Sequence, residues 1–128
     1  MTSKMLHTCI RVQNLEKSLK FYKEALGLIE TRRKVYDEKK FALVYLSDKV
    51  GGYEVELTYN YDREIPYDLG NGFSHIAVGV KELEKERERH ISLGYEVTPI
   101  KALSETSAAY YFVTDPDGYK VEVIKLLD

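Results

Sequence analysis

The chain has 128 residues, of which 44% are apolar and 31% are charged, and its net charge at pH 7 is −2. This length fits one ordinary domain or two small modules that share a core, and the absence of a basic stripe argues against nucleic acid as the main partner. No apolar run approaches the roughly 18 residues of a membrane span, and the N-terminal MTSKMLHTC lacks the apolar core of an export signal. A single cysteine, Cys9, excludes an internal disulfide. We therefore expect a cytoplasmic protein with no membrane contact.

The first half of the chain predicts a strand, a helix and three further strands. The helix is expected to begin after Asn14 and to end at Gly27, which are residue types that favour these two ends. Its apolar stripe, at spacings of three and four, consists of Leu15, Leu19, Tyr22 and Leu26. In chain order the elements are the strand LHTCIRV at 6–12, the helix LEKSLKFYKEALG at 15–27, and the strands ETRRKVY at 30–36, FALVYLS at 41–47 and YEVELTYN at 53–60.

The second half repeats this order after the segment 61–71, which contains Pro66 and Gly70 and is predicted to be a linker. His90, on a helix rich in charges of both signs, is expected to face solvent. The elements are the strand SHIAVGV at 74–80, the helix LEKERERHISLG at 83–94, and the strands YEVTPI at 95–100, AAYYFVT at 108–114 and YKVEVIKL at 119–126. We predict an α+β fold in one domain over 1–128, built from two βαβββ modules at about 5–60 and about 72–127.

Each module opens its first strand with a histidine and carries a glutamate between apolar residues in its last strand. These residues are His7 and Glu56 in the first module, and His75 and Glu122 in the second. A carboxylate inside a sheet is unfavourable unless it is paired or bound to a metal. Two imidazoles and two carboxylates suit an octahedral divalent cation such as nickel, cobalt or manganese, and they also suit zinc. Such a set leaves positions for substrate, as a catalytic site does.

Two plainer interpretations remain open at this point. Glu56 and Glu122 could face water at sheet edges, with both histidines structural. Cys9 shares the face of His7 by strand parity. We interpret it as a small core residue rather than a nucleophile, because its face offers no base other than that histidine.

Four segments taken together resemble the glyoxalase I, or lactoylglutathione lyase, family of the vicinal-oxygen-chelate superfamily. They are LHTCIRVQNLEKSLKFYKEALGL, VELTYNYD, GFSHIAVGV and DPDGYKVEVI, and the similarity runs from Leu6 to Leu126. The resemblance implies that the paired modules form a half-barrel and that the protein is a homodimer with two metal sites at its interface. Each site would take His7 and Glu56 from one chain and His75 and Glu122 from the other.

The resemblance also implies a reaction and a metal. The family isomerises the hemithioacetal of methylglyoxal and glutathione to S-lactoylglutathione by proton transfer through an enediolate. Glu122 would be the principal base, and Glu56 would serve the opposite stereochemical face. His7 and His75 would be neutral ligands, which predicts a loss of activity in acid. The compact length resembles bacterial forms that prefer nickel or cobalt over zinc.

The match is less close where the thiol would bind. Arg11 and Asn60 stand at family positions that hold the γ-glutamyl end of glutathione. The loop KALSETSAA at 101–109 differs from the basic loop of the family, and Lys101 is the residue that would substitute for its lysine. Asn71 stands where many relatives have arginine. The cosubstrate is therefore glutathione or another thiol. The alternative functions are a related epimerase, a thiol transferase and a metal-free module that binds a small ligand.

Overall fold

The structure, a computed structural model, describes residues 1–127. It divides into two compact units, Met1–Asp68 and a second unit that begins at Leu69. This boundary lies inside the segment 61–71 that the sequence predicts to be a linker. Among the described residues, no helix is both long enough and apolar enough to cross a membrane.

The first unit contains the predicted strand, helix and three strands. Its elements are β1 (His7–Val12), α1 (Leu15–Lys20) with a π-helical turn at Phe21–Ala25, β2 (Ile29–Tyr36), a 3-10 turn at Asp37–Lys39, β3 (Phe41–Ser47) and β4 (Glu54–Asn60). The four strands form one sheet in the order β1-β4-β3-β2. β1 pairs with β4 in parallel, and the other neighbours are antiparallel.

Helix α1 begins as the sequence predicts, because the side chain of Asn14 accepts a hydrogen bond of 3.1 Å from the backbone N–H of Lys17. Its buried face differs from the predicted stripe. The backbone N–H of Leu26 donates to the carbonyl of Phe21, five residues earlier, which is the π-helical pattern. The fully buried side chains on this segment are Ser18, Phe21, Tyr22 and Ala25, and Tyr22 is the one member of the predicted stripe among them.

The second unit repeats the topology with one irregular edge. Its elements are β5 (His75–Val80), α2 (Leu83–Ser92), β6 (Tyr110–Thr114) and β7 (Lys120–Lys125), with strand order β5-β7-β6. The strand predicted at 95–100 is wrong as a regular strand. Isolated bridges to β6 are made by Val97, within this segment, and by Lys101, directly after it. Pro99 lies between these bridges and has no N–H to donate, which interrupts the ladder. The α+β fold of two βαβββ-like sheets is otherwise as predicted.

The expected exposure of His90 is wrong. The residue is 1% exposed, and its Nδ1 forms a hydrogen bond of 2.7 Å with the hydroxyl of Tyr111 in β6. Leu83, seven residues earlier on α2, is also fully buried. Residues seven apart lie on the same face of an α-helix, so His90 extends the inward stripe that Leu83 begins.

We expect the Tyr111→Phe variant to lower the free energy of unfolding by about 1–3 kcal/mol, because His90 would stay buried and lose a hydrogen bond. The hydroxyl stays protonated in the wild type, since burial raises the pKa of Tyr111. Urea unfolding of the purified protein measures the change. Tyr110→Phe, at the neighbouring, half-buried position of the same strand, is the matched control. Equal losses for the two variants would contradict a specific role for the bond to His90.

Candidate metal centre

The polar face of the first sheet is centred on Glu56 in β4. The strand register places Cys9 of β1 on one side of Glu56 and Tyr45 of β3 on the other. Oε1 of Glu56 lies 3.5 Å from Nε2 of His7, which occupies the start of β1. The hydroxyl of Tyr45 donates a 2.5 Å hydrogen bond to Oε2. Because Glu56 is only 8% exposed, its carboxylate is a buried acceptor whose two oxygens face different neighbours.

The side chain of Tyr45 is itself held in place by charged and aromatic neighbours. The guanidinium carbon of Arg32 lies 3.8 Å from the centre of the Tyr45 ring, and Arg32 also pairs with Glu54 at 3.0 Å. The ring of His7 meets the Tyr45 ring edge-on, with centroids 5.6 Å apart. Burial and the neighbouring Glu56 carboxylate raise the pKa of Tyr45 to about 12. At neutral pH its hydroxyl is therefore a hydrogen-bond donor.

The second sheet carries an equivalent pair. Nε2 of His75, at the start of β5, lies 3.1 Å from Oε1 of Glu122 in β7. The hydroxyl of Ser74 forms a 2.7 Å hydrogen bond with Nδ1 of His75, which leaves Nε2 directed at the carboxylate. The register pairs Glu122 with Phe112 of β6, whose ring meets His75 edge-on at 5.3 Å. The same arrangement of strands therefore builds both pairs.

Both pairs fit the first requirements of a metal centre. Their nitrogen–oxygen separations of 3.5 and 3.1 Å are close to the roughly 3 Å between adjacent ligands of an ion bound at about 2.1 Å. Neither glutamate is on an edge strand, since β4 and β7 each have a strand on both sides. The interpretation of these glutamates as water-facing edge residues is therefore wrong.

Within residues 1–127, no three histidine, cysteine, aspartate or glutamate side chains are arranged to hold a metal ion. Each unit provides one imidazole–carboxylate pair, and a divalent ion needs more than two ligands to be held tightly.

The predicted thiol-binding residues lie in both units. Arg11 is exposed on β1 and is paired in register with Thr58. Asn60, at the end of β4, shares the face of Glu56 by strand parity and donates a 3.0 Å hydrogen bond to the hydroxyl of Tyr67. Lys101 is exposed at the irregular edge of the second sheet, where its backbone pairs with Tyr110. Their roles in binding a thiol remain predictions.

The prediction of Cys9 as a core residue is wrong, because the residue is exposed on the polar face of the sheet. Its sulfur lies 3.1 Å from the hydroxyl oxygen of Thr58. Partial desolvation of the sulfur, together with the nearby Glu56 carboxylate, raises the pKa of the Cys9 thiol. A protonated thiol is a poor nucleophile, so the imidazole and the carboxylate are the candidate functional groups of this face.

The sequence and the fold both identify the family of this chain. Residues 4–123 match the family model of the Glyoxalase/Bleomycin resistance protein/Dioxygenase superfamily, and the chain belongs to this family. The lactoylglutathione lyase of Neisseria meningitidis is 42% identical over 125 residues, which cover 95% of this chain and 90% of that protein. The probable lactoylglutathione lyase of Synechocystis is 40% identical over 127 residues, which cover 94% of each chain.

Solved structures of glyoxalase I have the same fold. The enzyme from Zea mays superimposes with a TM-score of 0.91 at 33% identity, over 98% of this chain and 45% of the maize chain. This protein therefore spans about half the length of the maize enzyme. The trypanothione-dependent glyoxalase I of Leishmania major gives a TM-score of 0.82 at 35% identity, over 97% of this chain and 87% of that chain. The resemblance to glyoxalase I in the sequence is confirmed.

Proposed function

We propose that this protein is a metal-dependent glyoxalase I that converts the hemithioacetal of methylglyoxal and glutathione to S-lactoylglutathione. The expected enzyme class is confirmed by curated relatives, 36–42% identical over most of the chain, which are lactoylglutathione lyases or probable lactoylglutathione lyases. The structural observation that carries the proposal is the repeated pair of imidazole and carboxylate, His7 with Glu56 and His75 with Glu122.

The proposed metal ligands are these four residues, and the proposed assembly is a homodimer. Since each unit supplies only two ligands, a complete site would combine the His7–Glu56 pair of one chain with the His75–Glu122 pair of another. Imidazole nitrogen and carboxylate oxygen suit nickel, cobalt and zinc alike. The preference for nickel or cobalt over zinc that we propose rests on the resemblance to bacterial members of the family. When bound, such an ion supplies several kcal/mol of stabilisation to the negative charge that develops on the substrate oxygens.

Glu122 is the proposed base. Its carboxylate takes the proton from the carbon that bears the sulfur and returns it to the neighbouring carbonyl carbon. The hydroxyl proton passes from the oxygen of the first carbon to the oxygen of the second, so the hemithioacetal becomes a 2-hydroxy thioester with no oxidant or further reactant. A positioned base of this kind contributes about a hundred- to ten-thousandfold to the rate. Glu56, on the pair of the other unit, would act on the opposite stereochemical face.

Arg11, Asn60 and Lys101 are the proposed contacts to the thiol cosubstrate. A guanidinium suits the carboxylate of a γ-glutamyl group, and Arg11 lies on the same sheet face as Glu56. The Leishmania major relative depends on trypanothione, so the thiol varies among relatives of this chain. Glutathione is the proposed thiol here, and the unusual 101–109 loop makes another thiol the alternative. A cytoplasmic location, expected from the single cysteine, belongs to the same proposal.

Removal and replacement of the metal test this function. We expect the chelated apoprotein to be inactive with methylglyoxal and glutathione, and nickel or cobalt to restore thioester formation better than zinc. The ultraviolet absorbance of the thioester product follows the reaction. Activity that survives complete chelation would contradict metal dependence. A metal-loaded protein that is inactive with glutathione, but that uses another thiol or epimerises a thioester, would replace the proposed substrate.

A further inference from the structure

The two imidazole–carboxylate pairs differ on both sides of the glutamate in the strand register. The first strand of each unit places Cys9 opposite Glu56 and Ala77 opposite Glu122, and the second difference involves the aromatic residue. β3 places Tyr45 opposite Glu56, whereas β6 places Phe112 opposite Glu122. In both units the aromatic ring at this position meets the histidine of the pair edge-on, with centroids 5.6 and 5.3 Å apart. At this aromatic position the difference is the hydroxyl group that Tyr45 has and Phe112 lacks.

The hydroxyl of Tyr45 divides the two oxygens of Glu56 between two neighbours. Oε2 accepts the 2.5 Å bond from Tyr45, and Oε1 faces His7 at 3.5 Å. Tyr45 is 3% exposed, and Arg32 stacks on its ring. Arg32 is held in turn by Glu54, which also accepts a hydrogen bond from Thr31. The donor is therefore fixed before any ligand binds.

Glu122 has no hydroxyl donor at the equivalent aromatic position. The ring of Phe112 offers no donor, and within residues 1–127 the one polar contact of the Glu122 carboxylate is with His75. Its side chain is 19% exposed, against 11% for Glu56. The carboxylate of Glu122 is thus less buried than that of Glu56 and, within the described part of the chain, keeps one oxygen without a protein donor.

We propose that Tyr45 is a positioning residue that fixes Glu56 as a static metal ligand, and that Phe112 at the equivalent position leaves the Glu122 carboxylate free to move. This inference rests on the proposed function, because it assumes that both pairs bind the same kind of ion. It explains how two carboxylates in equivalent strands take different roles. One keeps its orientation through a hydroxyl donor, and the other leaves its resting position to transfer a proton.

The Tyr45→Phe variant makes the first unit match the second at the aromatic position, and nickel binding to its apoprotein tests the inference without any enzymatic assay. Loss of a group that orients a metal ligand typically weakens metal affinity about 10- to 100-fold, and we expect a change of this size by calorimetric titration. Tyr61→Phe is the matched control. Tyr61 donates a comparable 2.6 Å bond to Asp37, which is not a proposed ligand, so nickel affinity should be unchanged in this variant.

The Phe112→Tyr variant is the reciprocal test. Its added hydroxyl should hold Glu122 in place, so we expect nickel affinity to be retained and kcat to fall at least tenfold with little change in KM. Wild-type nickel affinity in Tyr45→Phe, or wild-type kcat in Phe112→Tyr, would overturn the inference. The proposed function and this inference can fail independently of each other. Weaker nickel binding by Tyr45→Phe would support the positioning role of Tyr45 even if no variant, nor the wild type, turned over methylglyoxal with glutathione.

Discussion

The Glu122→Gln variant is expected to retain its metal ion and to lose about a hundred- to ten-thousandfold in kcat. The amide keeps the shape of the side chain and an oxygen that can face the metal, but it cannot accept the substrate proton at neutral pH. Steady-state kinetics at saturating hemithioacetal, together with the metal content of the same sample, measure the two effects separately. Glu88→Gln, on the exposed face of helix α2, is the control and should have wild-type kcat.

The metal content of the Glu122→Gln variant distinguishes a role of Glu122 as the base from a role as a metal ligand. If Glu122→Gln keeps both its metal and full activity, the assignment of Glu122 as the base is wrong. A variant that loses metal and activity together would instead show that Glu122 acts mainly as a ligand, and Glu56 would become the candidate base.

The second large effect is expected when two inactive variants are combined. His7→Ala damages only the pair of the first unit, and His75→Ala damages only the pair of the second. In the proposed dimer, each site combines one pair from each chain. In a mixed dimer, both substitutions therefore lie in one site and the other site has all four wild-type residues. We expect each homodimer to be nearly inactive and the mixed dimer to recover about half of the wild-type activity per dimer.

Co-expression of the two variants with different affinity tags allows the mixed dimer to be purified by two successive columns. A mixed dimer as inactive as its parents would contradict a shared site, because each chain would then carry one lesion in its own site. Elution as a monomer on gel filtration would contradict the proposed dimer itself.

Much of this architecture follows from the periodicity of the sequence. The repeat of strand, helix and strands is visible in the sequence for two reasons. Gly27 and Gly94 follow two similar helices, and the strands show apolar residues at every second position. The same alternation places His7 and Glu56 on one sheet face, and the structure brings them within 3.5 Å of each other. Strand parity is a local rule, so a single sequence is enough to apply it.

The parts that the sequence did not predict depend on contacts between distant segments. His90 is interpreted from the sequence as a surface residue because it stands beside Glu88 and Arg89, but it is buried and its hydrogen-bond partner, the Tyr111 hydroxyl, lies on another element. The donor to Glu56 lies in the apolar run FALVYLS, where Tyr45 reads as a core aromatic residue. Its role depends on the register between β3 and β4, which turn residues alone did not specify.

Turnover measured while nickel is titrated into the apoprotein tests the central claim most directly, since it joins the metal, the ligands and the reaction. We predict that thioester formation from methylglyoxal and glutathione rises linearly with added nickel and reaches its plateau at about one ion per chain, as two shared sites in a dimer require. Turnover that is independent of nickel, or a protein that binds nickel at this ratio and forms no thioester, would contradict the account.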